Sequence, residues 1–317
     1  MDAAEDSELD AQLHTFNEQR KQAAAAYPDL FKSTLDIARR SNEAAQAGMN
    51  VGGPLMHESH DRWMTIPGRR ILTRIHYPTA ERRLPALVFL HGGGWVWGSI
   101  DTHDRIAREY AARAGVAVVA PDYALAPEYP FPTALNECMA VVRWISENGA
   151  AWNLASDRIA VGGDSAGANL ALAVALALRD AGERTIRGVL LNYAPLDPSL
   201  NSETYARFPQ QKKRMSWYWE QYLQSYENRL NPLAAPQLAN LEGLPPLRIL
   251  VGDQDALAGE NIVLAKRAQA AGTQTEIAVY RGMTHAFLRA VGHVDMAEEA
   301  IETSSSWLGR VLRTGKV

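Results

Sequence analysis

One cysteine, Cys138, stands among the 317 residues. No internal disulfide and no cysteine-rich metal site is therefore possible. Its neighbours, Leu135 to Val142, read as a helix, so the thiol is expected in a packed core. A basic tract is also missing. With 32 Lys+Arg against 36 Asp+Glu, the net charge is -4, and a nucleic-acid partner is not expected. No apolar run approaches the length of a membrane span. The start, Met1 to Asp6, is acidic and lacks the basic, apolar, small-residue order of a secretory signal. A soluble cytoplasmic protein is the expectation. Internal repeats are absent as well. What the chain does have is bulk: 47% of it is hydrophobic, enough for one large α/β domain or a domain with a smaller lid.

Residues 1 to about 50 carry scattered apolar positions at helical spacing, in Ala11 to Ala26 and Ser33 to Gly48, with Pro28 between. They hold too few large apolar residues to form a core alone. From Trp63 the pattern changes to strands. Arg70 to Tyr77 alternates, while Pro85 to Leu90 and Val116 to Ala120 are continuous apolar runs suited to burial on both faces. Arg158 to Gly162, Val189 to Tyr193, Leu247 to Val251 and Glu276 to Tyr280 follow. Helical stretches separate them, at His103 to Ala114, Thr133 to Asn148, Ala168 to Ala181 and Gly259 to Ala271, with a last one near Met296 to Leu312. Strands alternating with helices predict a mostly parallel sheet covered on both faces. Ser202 to about Asn231 breaks the rhythm. It is strand-free and aromatic, and is read as a lid over a cleft.

The organising stretch is Gly163-Asp164-Ser165-Ala166-Gly167. It lies between the apolar run Ile159 to Val161 and a strong helix former, Ala168 to Leu176. Strand, tight turn and helix turn a Gly-x-Ser-x-Gly match into a nucleophile elbow, with Ser165 lifted clear of the sheet. A second glycine cluster, His91-Gly92-Gly93-Gly94-Trp95, follows the run ending at Leu90. Consecutive glycines let backbone N–H groups face one point, as a tetrahedral oxyanion requires. The expected donors are the N–H groups of Gly92, Gly93 and Ala166. His91 precedes the serine and is read as a structural hydrogen bonder.

In the order serine, acid, histidine, only His285 and His293 follow Ser165. His285 lies just past the last apolar strand, on the edge where open α/β sheets place ligands. His293 is expected to be exposed. The acid should follow the preceding strand, where both Asp253 and Asp255 stand. From residue types alone the choice between them stays open.

Taken together, His91-Gly92-Gly93-Gly94-Trp95, Gly163 to Gly167, Gly282-Met283-Thr284-His285-Ala286-Phe287 and Asp122-Tyr123-Ala124-Leu125-Ala126-Pro127-Glu128 resemble the hormone-sensitive-lipase family of α/β-hydrolases. Asp255-Ala256-Leu257 resembles its Asp-Pro-Leu acid motif. The resemblance implies a mostly parallel eight-stranded sheet flanked by helices. It also implies a helical cap made of residues 1–50 and an insertion at 202–231, with the core at 51–201 and 232–317. It implies a carboxylic ester hydrolase with nucleophile Ser165, acid Asp255 and base His285, and a homodimer. Ala124, Ala256, Gly259 and Ala286 replace the usual arginine, proline, aspartate and glycine.

The chemistry so assembled is acyl transfer to Ser165 and hydrolysis of the acyl-enzyme, on a small-molecule ester and without metal or organic cofactor. The same groups serve an amide, lactone or carbamate. A ligand-binding module on this fold is the contrasting reading, and the presence of all three catalytic residue types argues against it. Trp95, Trp217, Trp219 and Tyr222, with Trp97 and Tyr218, are the candidates for the substrate wall, and such bulk suits short to medium acyl chains.

Overall fold

The computed structural model describes residues 9–314. The acidic start at Met1 to Asp6 and the outermost ends of the 1–50 and 232–317 spans lie outside the described residues. One eight-stranded sheet organises the chain, in the order β1-β2-β4-β3-β5-β6-β7-β8. Its strands are β1 (Glu58–Ile66), β2 (Arg69–Tyr77), β3 (Leu84–Leu90), β4 (Ala117–Pro121), β5 (Leu154–Asp164), β6 (Ile186–Asn192), β7 (Leu247–Gln254) and β8 (Thr275–Thr284). β2 runs antiparallel to both β1 and β4. From β4 onward every pairing is parallel.

The long helices are α1 (Ala11–Ala25), α2 (Leu35–Gln46), α3 (Asp104–Ala114), α4 (Thr133–Asn148), α5 (Ala166–Asp180), α7 (Pro209–Leu223), α8 (Ala258–Ala270) and α9 (Asp295–Thr314). A four-residue helix, α6 (Thr204–Arg207), precedes α7. Side chains alternate across a strand, so one strand feeds two cores. Ala86, Val88 and Leu90 of β3 join the core shared with α4, α5 and α8. Leu87 and Phe89 join the core shared with α1, α3 and α9. Every residue of β3 and β4 is buried, which is why both read as unbroken apolar runs. The Cys138 thiol is buried and its pKa pushed well up by burial, so it is held as the neutral thiol. Among the described residues no helix is long and apolar enough to cross a membrane.

Close backbone approach fixes where β5 turns into α5. A side chain at Gly163 would place its Cβ 2.4 Å from the Leu90 carbonyl oxygen, and one at Gly167 would lie 1.9 Å from the same atom. These glycines are therefore required for contact with β3. The left-handed backbone falls on Ser165 itself, at φ 52° and ψ -121°. Such a conformation costs about 1–3 kcal/mol and persists only where the surroundings impose it. Here the Ser165 N–H donates to Asn192 O at 2.8 Å, and its carbonyl accepts from Ala168 and Asn169.

Gly167→Ala is expected to lower stability by about 3 kcal/mol or more, because the new methyl overlaps backbone that has no soft direction to yield. Urea unfolding measures it, and an unchanged midpoint would contradict this account of the turn.

Candidate active site

Three chain turns meet at the carboxyl ends of β5, β7 and β8. β5 delivers Ser165, the turn after β7 delivers Asp255, and the turn after β8 delivers His285. His285 Nε2 lies 2.9 Å from Ser165 Oγ, and Nδ1 lies 2.8 Å from Asp255 Oδ2. An ionised Asp255 only accepts, so Nδ1 carries the hydrogen and Nε2 presents its lone pair to the Ser165 hydroxyl. Asp255 is wholly buried, and Ser165 is nearly so. Burial pulls the His285 pKa down, but the charge and hydrogen bond of Asp255, with help from Asp164, outweigh it, and the net shift is upward. Asp253 goes elsewhere: its Oδ1 accepts from the Gly282 N–H at 2.7 Å and braces the end of β8. His293 is exposed and stacks obliquely on Phe16.

The glycine loop after β3 departs from expectation at one position. The Gly92 N–H donates to Asp164 Oδ1 at 2.9 Å, so it is not free for a ligand. Asp164 sits directly over it, since a Cβ at Gly92 would lie 2.6 Å from Asp164 Oδ2. Gly92 is thus a strut of the loop and not an oxyanion donor. Among the described residues the N–H groups of Gly93, Gly94 and Ala166 take no hydrogen-bond partner. Gly93 and Gly94 have φ of 126° and 61°, left-handed values that turn the loop back on itself.

Asp164 is a charged clasp. It is fully buried, with His103 Nε2 at 3.3 Å and Arg289 acting on it electrostatically. Burial raises its pKa, yet His103, Arg289 and His91 together hold it below the ordinary aspartate value. His91 is a structural residue. Its Nδ1 contacts Gly92 O at 2.9 Å and its ring stacks on Tyr123 at 4.2 Å. Burial and the neighbouring His103 push its pKa to about 3, so it stays neutral.

The aromatic residues divide into two groups. Trp95, Trp219 and Tyr222 form a closed stack, with Trp95 to Tyr222 at 4.4 Å and Trp95 to Trp219 at 4.5 Å between ring centres. All three are at most 1% exposed. They clamp α7 to the core and do not face a cleft, which corrects their assignment to the substrate wall. Trp219, Tyr222 and Leu223 occupy one buried face of α7 at helical spacing. The adjoining Trp217 and Tyr218 are only partly buried. Trp217 stacks on Trp97 at 5.2 Å, and Phe31, from the link between α1 and α2, meets Trp97, Trp217 and Tyr218 edge-on. The Tyr218 ring lies against Gly94, where a Cβ would come within 2.1 Å of it.

Three residues of the site went unread in the sequence. Tyr193, at φ 45°, puts its buried ring edge-to-face with His285 at 5.0 Å. Arg39 of α2 donates to Val96 O, Ala126 O and both oxygens of Glu128, at 2.8, 3.0, 2.7 and 2.7 Å. It ties the N-terminal helices to the glycine loop. Phe31 carried no signal beyond being aromatic in a polar link.

Residues 87–289 match the model of the alpha/beta hydrolase fold family. The chain belongs to the hormone-sensitive-lipase-like esterases of that fold. It is 36% identical over 251 residues to a carboxylesterase, NlhH, of Mycobacterium tuberculosis, covering 76% of this chain and 79% of the relative. It is 33% identical to an ethyl acetate hydrolase of Pseudomonas putida, covering 75% of this chain and 77% of the relative. Among solved structures it resembles EstE1, a thermostable carboxylesterase from a metagenomic library, at a TM-score of 0.86 and 32% identity, over 89% of this chain and 99% of the other.

Trp219→Ala is expected to destabilise this esterase by about 3–5 kcal/mol through the cavity it leaves. Trp217→Ala, at the half-buried position, should cost about 1 kcal/mol or less. Chemical denaturation of both variants checks the division of the aromatics, and equal losses would refute it.

Proposed function

We propose that this esterase cleaves short- to medium-chain acyl esters with Ser165 as nucleophile, His285 as general base and Asp255 as its orienting acid. The observation that carries the reading is the unbroken relay from Ser165 Oγ to His285 to Asp255, with separations of 2.9 and 2.8 Å. His285 Nε2 takes the Ser165 proton as Oγ attacks the ester carbonyl. The imidazolium is stabilised by Asp255 and then protonates the departing alcohol oxygen. Water, deprotonated by the same nitrogen, releases the acid from Ser165. The oxyanion is received by the N–H groups of Gly93, Gly94 and Ala166. Support comes from their lack of any other partner among the described residues and from Gly92 being held by Asp164.

The exposed edge of Phe31, Trp217 and Tyr218, packed on the buried Trp97, supplies an apolar shelf beside that loop. Flat rings at van der Waals distance suit a short or medium acyl chain better than a long flexible one. Comparing p-nitrophenyl esters from acetyl to palmitoyl is the measurement, and a palmitoyl optimum would overturn the chain-length reading.

Ser165→Ala is expected to lower kcat by about 10⁶-fold and to abolish labelling by a fluorophosphonate probe. Equal rates in the variant and the parent would sink the assignment. Catalysis requires neutral His285, so the acidic limb of kcat/KM should have its midpoint above 6.5, the ordinary histidine value from which this group is raised. Asp255→Asn removes the charge that raises it. The limb should then move to lower pH, with a loss in kcat of about 10⁴-fold. A limb that stays in place would refute the role given to Asp255.

A further inference from the structure

Another serine, histidine and aspartate meet at the β1 edge of the sheet. Ser59 lies on β1, the outermost strand, directly opposite His76 of β2. Residues so paired project their side chains to one face. Ser59 Oγ is 2.8 Å from His76 Nδ1. Across the ring, His76 Nε2 is 3.4 Å from Asp104 Oδ1, on the first residue of α3. That is an ion-pair separation, and among the described residues Nε2 takes no hydrogen bond. His76 is 1% exposed, whereas Ser59 is open to solvent.

The charges fix which way the proton runs. Arg74 donates to both oxygens of Asp61 at 2.7 and 2.8 Å, to Asp101 at 2.7 Å and to Asp104 at 3.3 Å. Arg108 donates to Asp104 at 2.7 Å. Three carboxylates thus share two guanidiniums, and His76 Nε2 faces the negative charge left over. A lone pair on Nε2 would point at an anion inside a buried pocket. The hydrogen therefore sits on Nε2, and Nδ1 accepts from the Ser59 hydroxyl. An imidazolium formed at His76 supplies the positive charge that the cluster lacks. An accessible hydroxyl donating to a buried imidazole backed by a carboxylate is the arrangement that activates a serine.

We propose that Ser59 is a second nucleophile, a modification site that takes an acyl group from an activated ester, such as an aryl ester or thioester, and keeps it. Ser59 Oγ bonds to the acyl carbon, and the bond to the leaving oxygen or sulfur breaks. The Ser59 proton passes through His76 Nδ1 to that leaving group. β1 runs through Ser59 in unbroken register, with no glycine turn and no helix start. An oxyanion there lacks the donor cluster proposed beside Ser165. Only a reactive donor is attacked, and the alkyl ester left on Ser59 is too inert for the same groups to hydrolyse.

Ser165→Ala in the full chain removes the competing nucleophile. That protein is incubated with p-nitrophenyl acetate, digested and mapped by mass spectrometry. One retained acetyl group on Ser59 is expected, and Ser59→Ala in the same background should leave the segment unlabelled. Acetylation of Ser59 should be about tenfold or more faster than in the urea-unfolded chain, where His76 no longer stands opposite. Adding His76→Gln should slow it by about tenfold or more, which a hydrogen bond of purely structural use would not predict.

An unlabelled Ser59 overturns the proposal, as do equal rates in the folded and unfolded chains. So does a folded His76→Gln variant that reacts at the parent rate, or an acetyl group that leaves Ser59 on continued incubation. If His76→Gln does not fold, the comparison of folded with unfolded chain decides alone. Ser59 is chemically separate from Ser165, so ester turnover that survives Ser165→Ala would sink the triad reading and not this one.

Discussion

The site depends on how tightly the end of β3 presses against the start of α5. The Leu90 carbonyl occupies space that a side chain at Gly163 or Gly167 would need. Bringing those two backbones together sets the glycine loop beside Ser165, and so sets the proposed oxyanion donors beside the proposed nucleophile. The hydrogen bond from Ser165 N–H to Asn192 O then holds the serine in its left-handed conformation from the β6 side. A strained residue survives because strands on both sides define its position, and each of those strands is buried in the double core.

Charge completes what steric contact begins. Asp164 is withdrawn from water, and its ionised form is sustained by His103 and Arg289. From that position it grips the Gly92 N–H and steadies the loop whose next two N–H groups have no partner among the described residues. Asp255 does for the imidazole what Asp164 does for the loop. Both aspartates act in a low-dielectric setting where a fixed dipole or charge is worth far more than it is in water. Each is already held by hydrogen bonds in the resting site, which is the condition for electrostatic preorganisation.

Most of the architecture was legible in the chain. β3 and β4 announce themselves as apolar runs because they are covered on both faces, and α9 by its long amphipathic pattern. β1 escaped notice. It is an outer strand whose side chains are mostly exposed, and Trp63 lies 58% exposed under Arg70, so no alternation marks it. Within the site, residue order along the chain singled out His285. The choice between Asp253 and Asp255 turns on which carboxylate faces the ring, a property of the turn after β7 and not of residue type. The three glycines after His91 look alike in sequence. Only the side chain of Asp164, carried by another strand, distinguishes the first of them. The aromatics of α7 were misassigned because richness in rings was read without helical phase. Spacing at 219, 222 and 223 already separates the buried face from the Trp217 and Tyr218 face.

Arg39 gives the first fifty residues an unexpected status. One guanidinium holds two main-chain carbonyls, at Val96 and Ala126, in the adjoining segments that follow β3 and β4, while Phe31 from the same N-terminal region rests on Trp97. Helices attached in this way cannot be swapped between homologues like an interchangeable module. A chimera that imported a foreign N-terminal segment would have to bring an equivalent of Arg39 with it, or accept a glycine loop that had lost one of its guy-lines.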